Sequence, residues 1–379
     1  MSTLPQIPRE LLPHDGRFGA GPSKVRIEQA EAISRAATNL LGTSHRQTPV
    51  KNLVKDIQEG LSAFFNLPSG YEVVLGNGGA TAFWDAATFG LIRHRAEHLV
   101  FGEFGSKFAQ ATVKAPFLED SLILTSAPGT RPSSQIEPDV DVYAWPHNET
   151  STGVVAPVLR PENIDDDALL LIDATSAAGG LEVDLSQTDV YYFSPQKNFA
   201  SDGGLWLATF SPRALARAEE IAQSGRWIPD SLSLTTAITN SRKHQTYNTP
   251  SLTTLIMLAE QVRWLNKNGG MQFATRRTAE SATLVYQWAE ASSFASAFVR
   301  NPDERSNVIC TIDIEESIDA TQISQALRQV GVVDTEPYRK LGRNQLRIAT
   351  FVAIDPQDVS SLLDCIDYVV DQLTSNQDN

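Results

Sequence analysis

Apolar residues recur at helical spacing over roughly 25–41 and 50–65. In the second stretch, VKNLVKDIQEGLSAFF, Leu53, Val54, Ile57, Leu61 and Phe64 share one face. Short apolar runs then alternate with helical stretches: EVVLG (72–76), EHLVFG (97–102), SLILTS (121–126), DVYAW (141–145), ALLLID (168–173), DVYYFS (189–194) and GLWLATF (204–210). Several are apolar throughout, as in a sheet covered on both faces. Helices between strands imply crossover connections and a mostly parallel seven-stranded sheet in an α/β fold. Near residue 249 the rhythm changes. Thr249-Pro250 predicts a helix start, with Leu252, Leu255, Ile256, Ala259, Val262 and Leu265 as its stripe and Gly269-Gly270 as its stop. A second long helix runs to about 292. NVICTIDI, a helix near 321–330, QLRIATF and a last helix capped by Asp355-Pro356 complete a smaller C-terminal α/β unit. The expected division is an N-terminal arm (1–17), a large domain (18–265) and a small domain (266–379).

A chain of 379 residues with 41% hydrophobic content has room for such a core. Its net charge of −14 opposes wrapping nucleic acid, and any anionic ligand needs a local basic pocket. Two cysteines, Cys310 and Cys365, with no CxxC spacing, predict neither a metal cluster nor a disulfide framework. No run is long and apolar enough to span a membrane, and the N-terminal stretch lacks the pattern of a secretory signal. The expectation is a cytoplasmic protein with no metal, nucleic-acid or membrane partner.

In open parallel sheets, ligands bind beyond the carboxyl ends of strands. Gly78-Gly79-Ala80-Thr81, Phe104, Asn148-Glu149-Thr150, Asp173 and Gln196-Lys197 all follow strand-like runs. GNGGATAFWDAATFGLI passes from glycines into a helix, whose first N–H groups suit a phosphate; an ordinary tight turn is the other reading. Asp173 reads as a helix cap or as the partner of a ring nitrogen. Lys197 reads as a solvated turn lysine or as an amine held for reaction. Taken together, the last two describe a pyridoxal phosphate site. Lys197 would join the ring aldehyde as a Schiff base and shuttle the substrate proton, while Asp173 keeps the ring nitrogen protonated. Phe104 reads as core or as a ring stacked on the cofactor, and Thr150 as a turn residue or a cofactor contact.

The ordered series FGAGPSKV (18–25), SHR (44–46), GNGGAT (76–81), HNET (147–150), DATS (173–176), SPQK (194–197), NTP (248–250) and LRIATF (346–351) resembles phosphoserine aminotransferase, in its actinobacterial-like form. The resemblance runs over nearly the whole chain. It implies a fold-type I pyridoxal phosphate transferase that moves an amino group between glutamate and 3-phosphohydroxypyruvate. The products are 2-oxoglutarate and phosphoserine, for serine and in many bacteria pyridoxine biosynthesis. It further implies that Lys197 carries the cofactor with Gln196 beside its phosphate, that Asp173 meets the ring nitrogen, that Ala80 and Thr81 form the phosphate loop, and that Phe104 stacks. Asn248 and Thr249 match a pair that reaches the cofactor phosphate of the neighbouring subunit in a homodimer. His45 and Arg46 match a substrate-binding pair from that subunit, and Arg347 matches the α-carboxylate clamp. The chain departs from many relatives in Ala80 (arginine there), in Phe104 (tryptophan), and in having Tyr338-Arg339-Lys340 and Arg343 where a His-Arg pair is usual. Arg339 and Arg343 are therefore candidates for the substrate phosphate or residues of a solvated loop. Three alternatives stay open: a glyoxylate-using or other small-molecule aminotransferase, a non-catalytic pyridoxal phosphate sensor, and, less compatible with SPQK, a cysteine desulfurase.

Overall fold

The computed structural model describes residues 4–375. In chain order its strands are β1 (Glu72–Asn77), β2 (Arg95–Val100), β3 (Leu122–Thr125), β4 (Val140–Pro146), the short β5 (Asn148–Glu149) and β6 (Val154–Val155), β7 (Leu169–Asp173), β8 (Val190–Phe193), β9 (Leu205–Phe210), β10 (Ala295–Ala297), β11 (Ile309–Ile314) and β12 (Gln345–Ala349). Seven of them form the main sheet, in the order β1-β9-β8-β7-β4-β2-β3, and each matches one of the apolar runs. Only β9 runs against the rest: it is antiparallel to both β1 and β8, whereas β8, β7, β4, β2 and β3 pair in parallel. All strands but β9 therefore end at one edge, and that edge carries the candidate residues.

The helices are α1 (Ile27–Ala36), α2 (Thr48–Phe64), α3 (Gly79–Gly90), α4 (Glu103–Val113), α5 (Pro212–Gln223), α6 (Leu234–Ser241), α7 (Leu252–Lys267), α8 (Gly270–Ala291), α9 (Ala320–Gln329) and α10 (Pro356–Ser375). Every residue of β7, β8 and β9 is buried. Their side chains alternate between two apolar clusters. Leu170, Ile172, Tyr191 and Phe193 face the layer containing α2 and α7. Leu169, Leu171, Val190 and Tyr192 face the layer of α3, α5 and α6. Burial on both faces explains why these strands show no polar alternation.

The start of α7 differs from expectation. Ser251, not Thr249, is the cap, its hydroxyl accepting the Thr254 N–H at 3.3 Å. Thr249-Pro250 lies in the preceding turn, because Ser251 can cap and Thr249 is engaged elsewhere. Helix α7 packs on α1 and α2, whereas α8 packs on α10, β10 and β11. The antiparallel sheet β10-β11-β12 forms the second layer. The N-terminal segment also belongs to that layer: Phe18 N–H donates to Val333 O, and His14 N–H to Asp358 Oδ1 at 2.9 Å. No helix among the described residues is long and apolar enough to cross a membrane.

Candidate active site

The common strand edge opens into a cavity of about 380 Å³, lined among others by Ala80, Thr81, Phe104, Thr150, Asp173, Gln196 and Lys197. Seven of the residues singled out in sequence thus meet in one place. At one wall, Gly78 adopts φ 105° and leads into α3 with no side-chain cap. That backbone is open to glycine at little cost. The first N–H groups of α3 therefore face the cavity without a partner side chain, the arrangement that receives a phosphate.

Lys197 follows β8, and Asp173 ends the adjacent parallel β7. The lysine is 8% exposed and its Nζ donates to Ala20 O. Burial pushes its amine down to about 7; Arg347 adds to this, and Asp173 and Glu149 oppose it. Gly21 packs directly on the amine, and a Cβ there would collide with the end of the lysine side chain. The FGAGPS segment is thus the floor on which Lys197 rests. The Asp173 carboxylate is buried, with Thr175 N–H on Oδ1 at 2.9 Å and the Trp84 indole N–H on Oδ2 at 3.0 Å. Burial pushes its carboxyl up, and the neighbouring donors of Thr175 and Trp84 pull the other way.

The depressed Lys197 value makes stability depend on pH. Unfolded, the amine keeps its proton up to the ordinary 10.5; folded, only up to about 7. Between these values the unfolded chain binds more protons, so stability rises with pH and is lost as pH falls toward 7. Thermal melts of the cofactor-free protein from pH 7 to 9 should show a rise that Lys197→Met flattens, by at most about 1.4 kcal/mol per pH unit. Parallel profiles for the two proteins would mean the amine is solvated.

Glu149 had no assigned role in the sequence. Fully buried, it accepts the N–H groups of Phe104 (3.0 Å) and Gly105 (3.1 Å) on one oxygen, and the Ser151 N–H (3.1 Å) and hydroxyl (2.6 Å) on the other. It clamps the start of α4, and with it the Phe104 ring, to the β5–β6 hairpin that carries Thr150. The Phe104 centroid lies 6.0 Å from the Lys197 amine. Arg347, on β12, donates to Thr150 O at 3.4 Å and packs over the Tyr338 ring, while its Nε, also buried, has no acceptor. Lys340 is ion-paired with Glu103 at the start of α4, so the 338–341 turn reaches across to this wall.

Other candidates lie outside the cavity. His45 Nδ1 contacts the Thr249 hydroxyl at 3.2 Å, and Arg46 donates to Gln245 Oε1 at 2.8 Å. These residues and the exposed Asn248 form one patch. Thr249 O accepts from Asn77, next to Gly78, which places the patch beside the cavity rim. Arg339 is exposed in the 338–341 turn. Arg343 is held bidentately by Asp313, at 3.0 and 2.8 Å, and does not face the cavity; its nearest carboxylate, on the neighbouring strand β11, takes it.

The cavity chemistry fits a flat, phosphorylated pyridine aldehyde. A buried amine, a buried carboxylate, an uncapped helix start and an aromatic ring face one space. Three residues of its lining, Asn148, Thr175 and Gln196, each carry a buried side-chain oxygen (Oδ1, Oγ1 and Oε1) with no hydrogen-bond partner in the protein. Unmet polar atoms of this kind call for a polar occupant. Neither cysteine joins them: both are buried in apolar surroundings that push their thiols up, to about 12 for Cys310 and about 11 for Cys365. A desulfurase reading is left without its nucleophile.

Residues 18–334 match the aminotransferase class-V family. A phosphoserine aminotransferase of Rhodococcus jostii is 57% identical over 373 residues, covering 98% of this chain and all of the relative. Among solved structures, a phosphoserine aminotransferase from Cytophaga hutchinsonii superposes with TM-score 0.86 at 22% identity, over 93% of this chain and 99% of that one. A PLP-bound phosphoserine aminotransferase from Trichomonas vaginalis does so with TM-score 0.79 at 18% identity, over 93% and 100%. With a family match over most of its length and a full-length relative at this identity, the chain belongs to the class-V aminotransferase family, alongside the phosphoserine aminotransferases.

Proposed function

We propose that the protein is a pyridoxal phosphate-dependent phosphoserine aminotransferase, moving an amino group between glutamate and 3-phosphohydroxypyruvate to give 2-oxoglutarate and phosphoserine. The observation that carries this reading is the buried Lys197 amine beside the buried Asp173 carboxylate, at the ends of adjacent parallel strands and opposite the α3 start. When bound, the cofactor supplies an electron sink for the carbon that loses its proton. Lys197 would take and return that proton, its amine lying at the end of β8 in the same cavity. Asp173, whose two oxygens accept the Thr175 and Trp84 N–H groups, would hold the ring-nitrogen proton. Ala80, Thr81 and Gln196 receive the phosphate, and Phe104 and Thr150 orient the ring. The reaction belongs to serine biosynthesis, with pyridoxine biosynthesis a second use, and we assign it to the cytoplasm and to a homodimer.

Arg347 is near enough to Lys197 to help push its amine down, and its buried Nε has no acceptor, which supports its role as the α-carboxylate clamp. Arg347→Lys should weaken both half-reactions by roughly 2–4 kcal/mol, because a point charge replaces a bidentate fork. Arg343 is spent on Asp313, so Arg343→Ala should change the phosphoserine-to-glutamate preference less than about twofold, whereas Arg46→Ala or Arg339→Ala should cost phosphoserine more than glutamate. Steady-state kinetics with each amino donor decides; equal losses for both donors would remove Arg46 and Arg339 from the phosphate site. The overall reading is tested by incubating the protein with glutamate and 3-phosphohydroxypyruvate and following 2-oxoglutarate. Unphosphorylated serine reacting as well as phosphoserine would overturn it.

A further inference from the structure

We propose that Trp84 is a positioning residue: its indole N–H fixes the Asp173 carboxylate and ties the phosphate-facing helix α3 to the ring-nitrogen partner at the end of β7. The inference rests on the proposed pyridoxal phosphate function. Trp84 lies three residues after Thr81, on the same face of α3, and its side chain lines the cavity. Its N–H reaches Asp173 Oδ2 at 3.0 Å, while Thr175 N–H takes Oδ1 at 2.9 Å. Each carboxylate oxygen thus has one donor, from two different elements, and the plane of the group is set from both sides. Trp84 is 5% exposed and Asp173 7%. A buried indole N–H needs an acceptor, and a buried carboxylate needs donors. This contact meets both needs, and it meets them at the atom pair that addresses the ring nitrogen.

Two consequences follow for the acid. Its lone pairs are aimed, because rotation would break one of two hydrogen bonds. The same N–H donors favour its charged form and so oppose the burial that pushes the carboxyl up. The groups facing Asp173 are Trp84 from α3, Thr175 from its own turn, Tyr191 and Tyr192 from β8, and Lys197 beyond β8. Of these, Trp84 and Thr175 donate to its oxygens at 3.0 and 2.9 Å, and Trp84 does so from a side chain on the phosphate-facing helix. A carboxyl that had taken up its own proton would not hold one on the ring nitrogen. Losing the indole N–H should therefore move the acid limb of the rate profile to higher pH.

The test compares wild type with Trp84→Phe, which keeps an aromatic ring and removes the N–H. Both cofactor-free proteins are titrated with pyridoxal phosphate and with its analogue carrying CH in place of the ring nitrogen, using equilibrium dialysis. Trp84→Phe should bind pyridoxal phosphate about tenfold more weakly, the scale of one charge-assisted hydrogen bond. It should bind the analogue as wild type does, because the analogue has no nitrogen for Asp173 to address. In the loaded enzyme, kcat should fall about tenfold with its acid limb shifted upward in pH, while KM for glutamate stays within about twofold. Equal weakening toward cofactor and analogue would mean that Trp84 only shapes the cavity, and would overturn the proposal. Unchanged pyridoxal phosphate binding would overturn it as well. Should the Phe variant not fold, Trp84→Met, which likewise has no donor, supplies the same comparison between the two ligands. A wild-type protein that takes up no pyridoxal phosphate would overturn the proposed function, and this inference with it.

Discussion

Lys197→Ala is expected to lower turnover by roughly 10⁴-fold or more, the largest loss of any single substitution in this protein. The reason is that in the proposed mechanism one amine serves two roles, holding the cofactor and moving the substrate proton. Among the described residues, no other lysine lines the cavity. Lys340 and Lys107 lie close by but are paired with Glu103. The fold prepares Lys197 for the work. Its neighbours desolvate it, and Gly21 leaves room that any side chain would close. Borohydride treatment of the loaded protein followed by digestion should find the cofactor on the peptide containing Lys197. Label on another peptide, or a Lys197→Ala protein that keeps a tenth of wild-type turnover, would remove the lysine from its role.

Much of this site was legible in the sequence because its residues stand at strand ends. Apolar runs buried on both faces mark β7, β8 and β9 almost to the residue, and whatever follows such a run must lie at the sheet edge. Asp173, Lys197 and Thr81 were found in that way. Strand β10 was not read, because Ala295–Ala297 is too short and its side chains too small to make a pattern. The roles of Trp84 and Glu149 leave no sequence pattern for a different reason. Each acts through a partner distant in sequence, Asp173 for one and the start of α4 for the other, and no periodicity records such a contact. Helical spacing does hold a partial signal for Trp84, since it shares a face with Thr81. Arg343 shows the reverse case. The sequence shows a basic residue close to the carboxylate clamp, but the acidic residue that claims it sits on the neighbouring strand, 30 positions earlier.

Mixing Lys197→Ala with Arg46→Ala, assayed with phosphoserine as amino donor, where the Arg46 lesion is expected to be the more severe, should raise activity above that of either variant alone toward about one quarter of wild type if the sites are shared across a homodimer. His45, Arg46, Asn248 and Thr249 lie together in a patch outside the lining of the cavity that holds Lys197. Arg46 and Asn248 point outward enough to be exposed, and Tyr247 beside them leaves 45% of its surface open. Such a patch, polar and aromatic and still partly exposed after its contacts within its own chain, suits a two-fold partner whose cavity it would complete. The same patch also touches Asn77, at the rim of its own chain's cavity, so action within one chain is the competing arrangement. The two arrangements give different counts. In a shared dimer containing one chain of each variant, one site collects both lesions and the other collects neither. Random reassociation makes about half the dimers mixed, and each regains one of its two sites. If Arg46 serves its own chain, every site in the mixture carries a lesion, and activity stays at the level of the separate variants. That result, after subunit exchange has been verified with differently tagged chains, would rule out the shared site and return Arg46 to the rim of its own cavity.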